Sequence, residues 1–189
     1  MATSAVQIVN SALIKIGTER IDSLSDSNTR AIMANEQYAK IRDDLLMIHP
    51  WNFAIARASL SASVTAPVDG FEVKYALPSD VLRVLSVNED SSIEWAVEEG
   101  GFLHTDEDTV LIKYIKQVTD TTKFSKTFEE VLALKLASDL CYAIKKDASH
   151  AKNLYDAYRY ALSQARSFDA QEGYKQIGVE SDDWFNSRL

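Results

Sequence analysis

The strongest constraint in this 189-residue sequence is a change of hydrophobic period at Pro50. Ahead of it, Ala31, Ala34, Tyr38, Ile41, Leu45 and Ile48 step by three and four residues, which lays an apolar stripe along one helix. Proline cannot continue a helix interior and pushes the preceding His49 out of the helical region, so the helix must end at "HPWNF". Trp51 and Phe53, directly after the break, read as an anchor for the exiting chain and mark the junction between two kinds of structure. Beyond them the period drops to two. "FEVKYAL" alternates, "VLRVLSV" is β-rich after Pro78 and Asp80, and "SIEWAV" and "FLHT" flank a turn at Gly100-Gly101. "TVLIKYIKQV" alternates again after an acidic turn.

Helical spacing frames this stretch on both sides. Ser4 with Gln7 forms a capping box ahead of Val6, Val9, Leu13 and Ile16, and Gly17 is a natural stop. In the following loop Ile21 and Leu24 are core plugs, and Asp26 or Ser27 caps the second helix. Thr127 with Glu130 reads as another capping box, followed by Phe128, Leu132, Leu136 and Leu140 on one face. The last long helix carries Leu154, Tyr158, Leu162, Ala165 and Phe168. The expected fold is α+β, mainly α: an antiparallel bundle of about four helices with an inserted small antiparallel β-sheet. Residues 1–54 and 119–178 build the bundle, 55–118 the insertion, and 179–189 a C-terminal docking tail with Trp184, Phe185 and Leu189.

Charge is unevenly placed. From Pro67 to Val118 there are 11 acids against 4 bases, and from Asn88 to Asp108 eight acids and no base. The latter are Glu89, Asp90, Glu94, Glu98, Glu99, Asp106, Glu107 and Asp108, an acidic surface of the insertion. A sequence-reading nucleic-acid binder has the opposite balance, because phosphate neutralisation supplies much of its affinity. A solvated, solubilising face is the plainer account.

The residues give little chemistry. Phosphate-loop, GxGxxG, GxSxG, HExxH and CxxC patterns are absent. His49, His104 and His150 fall in three different elements, and Cys141 sits among apolar helical residues as a small core side chain. "TDEDT" lacks the ligand spacing and glycine of a calcium loop. The expectation is a non-enzyme with no catalytic residue, metal or cofactor. One cysteine rules out an intrachain disulfide and suits a reducing compartment. No run of 18 apolar residues and no basic leader is present, so neither a membrane anchor nor a secretion signal is expected.

Three stretches carry a resemblance: "VNSALIKIGTERIDSLSDSN", a helix ending in Ile-Gly with a Ser-Leu loop; the long helix closing at "HPWNF"; and "YALPSDVLRVLSV". In this order they resemble the tail tubular protein A family, the head-to-tail adaptors of short-tailed bacteriophages; the later helices match in order and length. The resemblance implies a structural virion protein made in the host cytoplasm. It implies a ring of about twelve copies between the portal protein and the tail nozzle, a tail tubular protein B-like partner. Viral DNA would pass through without sequence-specific binding, and tail fibres are a further candidate partner. Ring closure needs two complementary faces on each subunit. The polar helix residues Arg42, Asp43, Lys145, Lys152 and Arg159 are candidates, with Trp184, Phe185 and Leu189 docking on the portal or a neighbour. Two other readings compete: a non-viral helical module that binds another protein, and an enzyme using the acidic insertion with a divalent metal.

Overall fold

The computed structural model describes residues 3–65, 67, 70–98 and 100–173. Four helices and six strands follow in the order α1 (Ala5–Ile16), α2 (Thr29–Ile48), β1 (Ile55–Leu60), β2 (Val73–Ala76), β3 (Val81–Val87), β4 (Trp95–Glu98), β5 (Phe102–Thr105), β6 (Val110–Lys116), α3 (Lys126–Lys145) and α4 (Ala148–Glu172). The fold is mainly α, with the strands inserted between α2 and α3.

Side-chain chemistry sets the helix ends. Ser4 and Gln7 form the expected capping box on α1, and Gly17 takes a left-handed φ of 77° that closes the helix onto Leu13 and Ile14. The other caps differ from expectation. Asn28, not Asp26 or Ser27, accepts from the Ala31 amide at the start of α2. Ser125, not Thr127, accepts from the Phe128 amide at the start of α3. In both helices the start lies one or two residues from the expected position, and the cap is whichever short polar side chain occupies the last extended residue. The loop after α1 is pinned by a two-point clamp: Asn10 accepts from the Ile21 amide and donates to the Ile21 carbonyl, both at 2.9 Å.

Helix α3 is the central element, packing against α1, α2 and α4. That explains its unusually apolar sequence: Val131, Leu132, Ala133, Leu134, Leu136, Ala137, Leu140 and Cys141 are all buried, on several faces. The stripe of α2 holds from Ala31 to Leu45, but Ile48 is half exposed while Leu46 is buried. The cause is a second contact: α2 also touches β3, whose Leu82 and Leu85 pack on the helical core. On α4, Leu154, Tyr158 and Ala165 are buried, Leu162 is half-buried and Phe168 is exposed.

The insertion holds two three-stranded antiparallel sheets instead of one, in the orders β1-β6-β3 and β2-β5-β4. The chain between β1 and β2 carries it from the first sheet to the second, and one bridge, Ala62 to Tyr75, links the two. Between them lies a separate small core of Tyr75, Val84, Val87, Leu103, Val110, Ile112 and Tyr114. Ile115 and Val118 belong to the helical core instead, so β6 serves both.

The hydroxyl of Tyr38 on α2 is buried without a hydrogen-bond partner among the described residues, and burial pushes its pKa up to about 12. A folded-state pKa raised above the unfolded value gives stability that is present below about pH 10 and lost as pH rises toward 12. Tyr38→Phe is therefore expected to fold at least as stably at pH 7 and to lack this alkaline loss; urea unfolding across pH 8–12 measures both. Ser125→Ala should cost about 1 kcal/mol in the same assay and Thr127→Ala distinctly less, which tests the assigned cap.

Candidate functional site

Two features of the fold bear on function: the junction where the strands join the bundle, and the far tip of the strand module. At the junction, Trp51 is fully buried and its indole N–H donates to the Leu45 carbonyl at 2.9 Å. Its ring meets His49 and Phe128 edge-on and lies stacked near Phe53, and Phe53 in turn touches Phe124 and Phe128. The chain on either side of the strand module, residues 49–54 and 124–128, thus closes into one aromatic cluster. Pro50 is half-buried at the start of this turn.

Asp169, at the end of α4, completes the junction. It is buried; one carboxylate oxygen lies 2.9 Å from His49 Nε2 and the other accepts from the Asn52 amide at 3.1 Å. The Asn52 side chain returns a bond to the Asp169 carbonyl at 2.6 Å. Sequence reasoning missed Asp169, although the signal was present: it falls four residues after Ala165, in phase with the buried face. A buried carboxylate is tolerated only when hydrogen-bonded, and residues 49–52 supply the partners.

The strand module projects away from this junction. Ile55 pairs with Ile115 next to the bundle, and Leu60 pairs with Val110 at the other end. The turn after β3 and the turn before β6 meet at that far end, where Asn88 donates to the Thr109 carbonyl and accepts from the Leu111 amide. Glu89, Asp90, Asp106, Glu107 and Asp108 therefore gather at one tip, and Glu72 joins them through its amide, which donates to Asp106 at 2.9 Å. The Glu94 carbonyl accepts from Thr105 close by. Glu98 stands elsewhere, on the β4–β5 hairpin, and Glu99 lies outside the described residues. Arg57 pairs with Glu89 at 2.8 Å, but Asp90, Asp106, Glu107 and Asp108 make no ion pair with a described residue. Hydrogen bonds from Ser92 hold the Asp90 carboxyl below its ordinary range.

The interface candidates fare differently from one another. Arg42 is not on an exposed polar face: it is buried, bonded to Asp43 at 2.8 Å, and Asp43 accepts from Gln117 at 2.8 Å. The pair ties α2 to the chain leaving β6, so its first role is internal. Lys145, Lys152 and Arg159 are exposed and form no ion pair with a described residue. Trp184, Phe185 and Leu189 lie outside the described residues.

The histidines stay apart. His49 belongs to the junction, His104 is buried in β5, and His150 sets a ring nitrogen 3.1 Å from the Lys15 carbonyl. Cys141 is buried and its thiol is pushed up by burial. Among the described residues no three His, Cys, Asp or Glu side chains group as metal ligands, and no helix is long and apolar enough to cross a membrane. No known family model matches this chain, and no curated protein matches it.

Asp169→Ala should destabilise the fold by about 1–3 kcal/mol in urea unfolding, because the Asn52 amide and His49 lose a buried acceptor. At the tip, like charges repel. The double variant Glu94→Gln/Asp108→Asn should melt at a higher temperature than the parent in low salt, with the difference vanishing at high ionic strength.

Proposed function

We propose that this chain is a head-to-tail adaptor of a short-tailed bacteriophage, a structural virion protein that assembles as a ring between the portal protein and the tail nozzle. The observation that carries the reading is the ordered set of three sequence stretches, taken with what each does in the fold. "VNSALIKIGTERIDSLSDSN" runs from α1 to the cap of α2 and contains the Asn10 clamp on Ile21. "HPWNF" is the buried junction, and "YALPSDVLRVLSV" spans β2 and β3. The resemblance thus lies on the residues that frame the molecule, where a shared fold would place its constraints.

The charge distribution supports the same reading. A tip whose carboxylates are largely uncompensated repels nucleic-acid phosphates, so copies arranged around a channel let a genome slide without sticking. The same tip is suited to a basic surface of the nozzle. Lys145, Lys152 and Arg159 are exposed, make no ion pair with a described residue, and offer cations to a neighbouring subunit; a closed ring needs this kind of two-faced contact. The C-terminal aromatics Trp184 and Phe185 are assigned to docking on the portal or a neighbour.

The test is to mix the chain with the portal protein of the same genome and image the product by negative stain, with each protein alone as control. A new ring layer on the portal is the expected result and gives the copy number directly. A monomer that leaves the portal bare would overturn the reading and favour a helical module with another protein partner. Removing residues 179–189 should abolish portal binding while circular dichroism stays unchanged.

A further inference from the structure

Two exposed rows of charge, on different helices, have complementary signs. On α2, Glu36, Lys40 and Asp44 stand four residues apart, which sets them on one face in the order acid, base, acid. On α4, Lys152, Asp156 and Arg159 are spaced by four and three, again on one face, in the order base, acid, base. All six are exposed, and none forms an ion pair with a described residue. At ~1.5 Å of rise per residue the rows run roughly 12 Å and 10 Å, so three charges on one can face three on the other. Beside Glu36 a groove of about 420 Å³ opens between α2 and α3, with Met33, Leu140 and Ala143 in its lining, and a second runs on past Lys40 and Asp44. Asp139, on the α3 side of both, is already paired with Lys135 at 2.7 Å, so the α2 row holds the charges left over. Tyr160 follows Arg159 on α4 and is 70% exposed.

We propose that these rows bind each other between copies. The α2 row of one chain docks antiparallel on the α4 row of a second, with Arg159 on Glu36, Asp156 on Lys40 and Lys152 on Asp44. Tyr160 selects the antiparallel placement, because it then falls at the Glu36 end, beside the apolar lining of Met33, Leu140 and Ala143. An exposed tyrosine next to an arginine is the kind of anchor that carries binding energy at an interface. Charge chooses the occupant. A nucleic acid, of one sign throughout, meets repulsion as well as attraction on either row. A second copy brings the matching order of signs, and a shift by one step sets like charges opposite each other, so the rows also fix alignment. Each copy offers two different faces, and head-to-tail contact of this kind is what closes a ring. The proposal rests on the adaptor reading insofar as that reading requires copies to meet side by side.

The full chain is sedimented in low salt over a concentration series up to about 1 mM, beside two charge swaps. These are Glu36→Lys with Asp44→Lys, and Lys152→Glu with Arg159→Glu, each checked for folding by circular dichroism. The parent should self-associate, and high salt should weaken it. Either swap alone should associate about tenfold more weakly or worse, because like charges then face each other. An equimolar mixture of the two swaps should recover the parent's association, since each supplies the face the other has lost, which no effect within one chain can do. A parent that stays monomeric throughout, a swap that associates as the parent does, or a mixture as weak as its components would overturn the contact. A ring layer that each swap still forms on the portal overturns this contact while leaving the adaptor reading standing. Self-association through these rows with the portal left bare does the reverse.

Discussion

The fold depends on the burial of Trp51. A large indole with no exposure is worth several kcal/mol of apolar transfer, and here it also has its one donor satisfied by the Leu45 carbonyl. That single side chain does three jobs that would otherwise need separate elements. It ends α2 by holding the chain in a tight turn after Pro50, it packs against Phe128 at the start of α3, and it sets the direction in which β1 leaves. Both ends of the strand module pass through the same cluster, and Leu82, Leu85 and Ile115 of β3 and β6 tie the module further to the helical core.

Asp169 extends this logic to the fourth helix. Helix α4 packs chiefly against α3, so its far end has little apolar contact to hold it. A buried carboxylate with partners on His49 and Asn52 fixes that end with directional bonds where hydrophobic area is scarce. The Asp169 backbone carbonyl also accepts from the Gly173 amide, which closes α4 at the same corner.

Charge follows a different rule. The strand module is small, with its own core of seven buried residues, and carries most of the net negative charge on its turns. Placing carboxylates at the far tip costs little because each is solvated and screened. Their number then becomes a property of the surface rather than of the core. The bundle, close to neutral, is left free for contacts of both signs.

The sequence by itself determined the kind of each element and where one kind gives way to the other. Helical and strand periods are local, so the stripe of α2, the stop at Gly17, the break at Pro50 and the hairpin at Gly100-Gly101 were legible, as were the buried roles of Ile21 and Trp51. Tertiary structure alone decided which residues meet. Which strands share a sheet depends on partners far apart in the chain, and alternation is the same for one sheet or two. Arg42 looked like a surface charge, but it is buried and bonded to Asp43, which Gln117 in turn holds. Asp169 lay in phase with the core, but nothing near it in sequence announces that residues 49–52 bring the donors that make its burial possible. The acids of two distant turns became one tip only because β3 and β6 pair antiparallel. A pattern along the chain records how each residue is faced, whereas its partners are set by long-range packing, which no local period encodes.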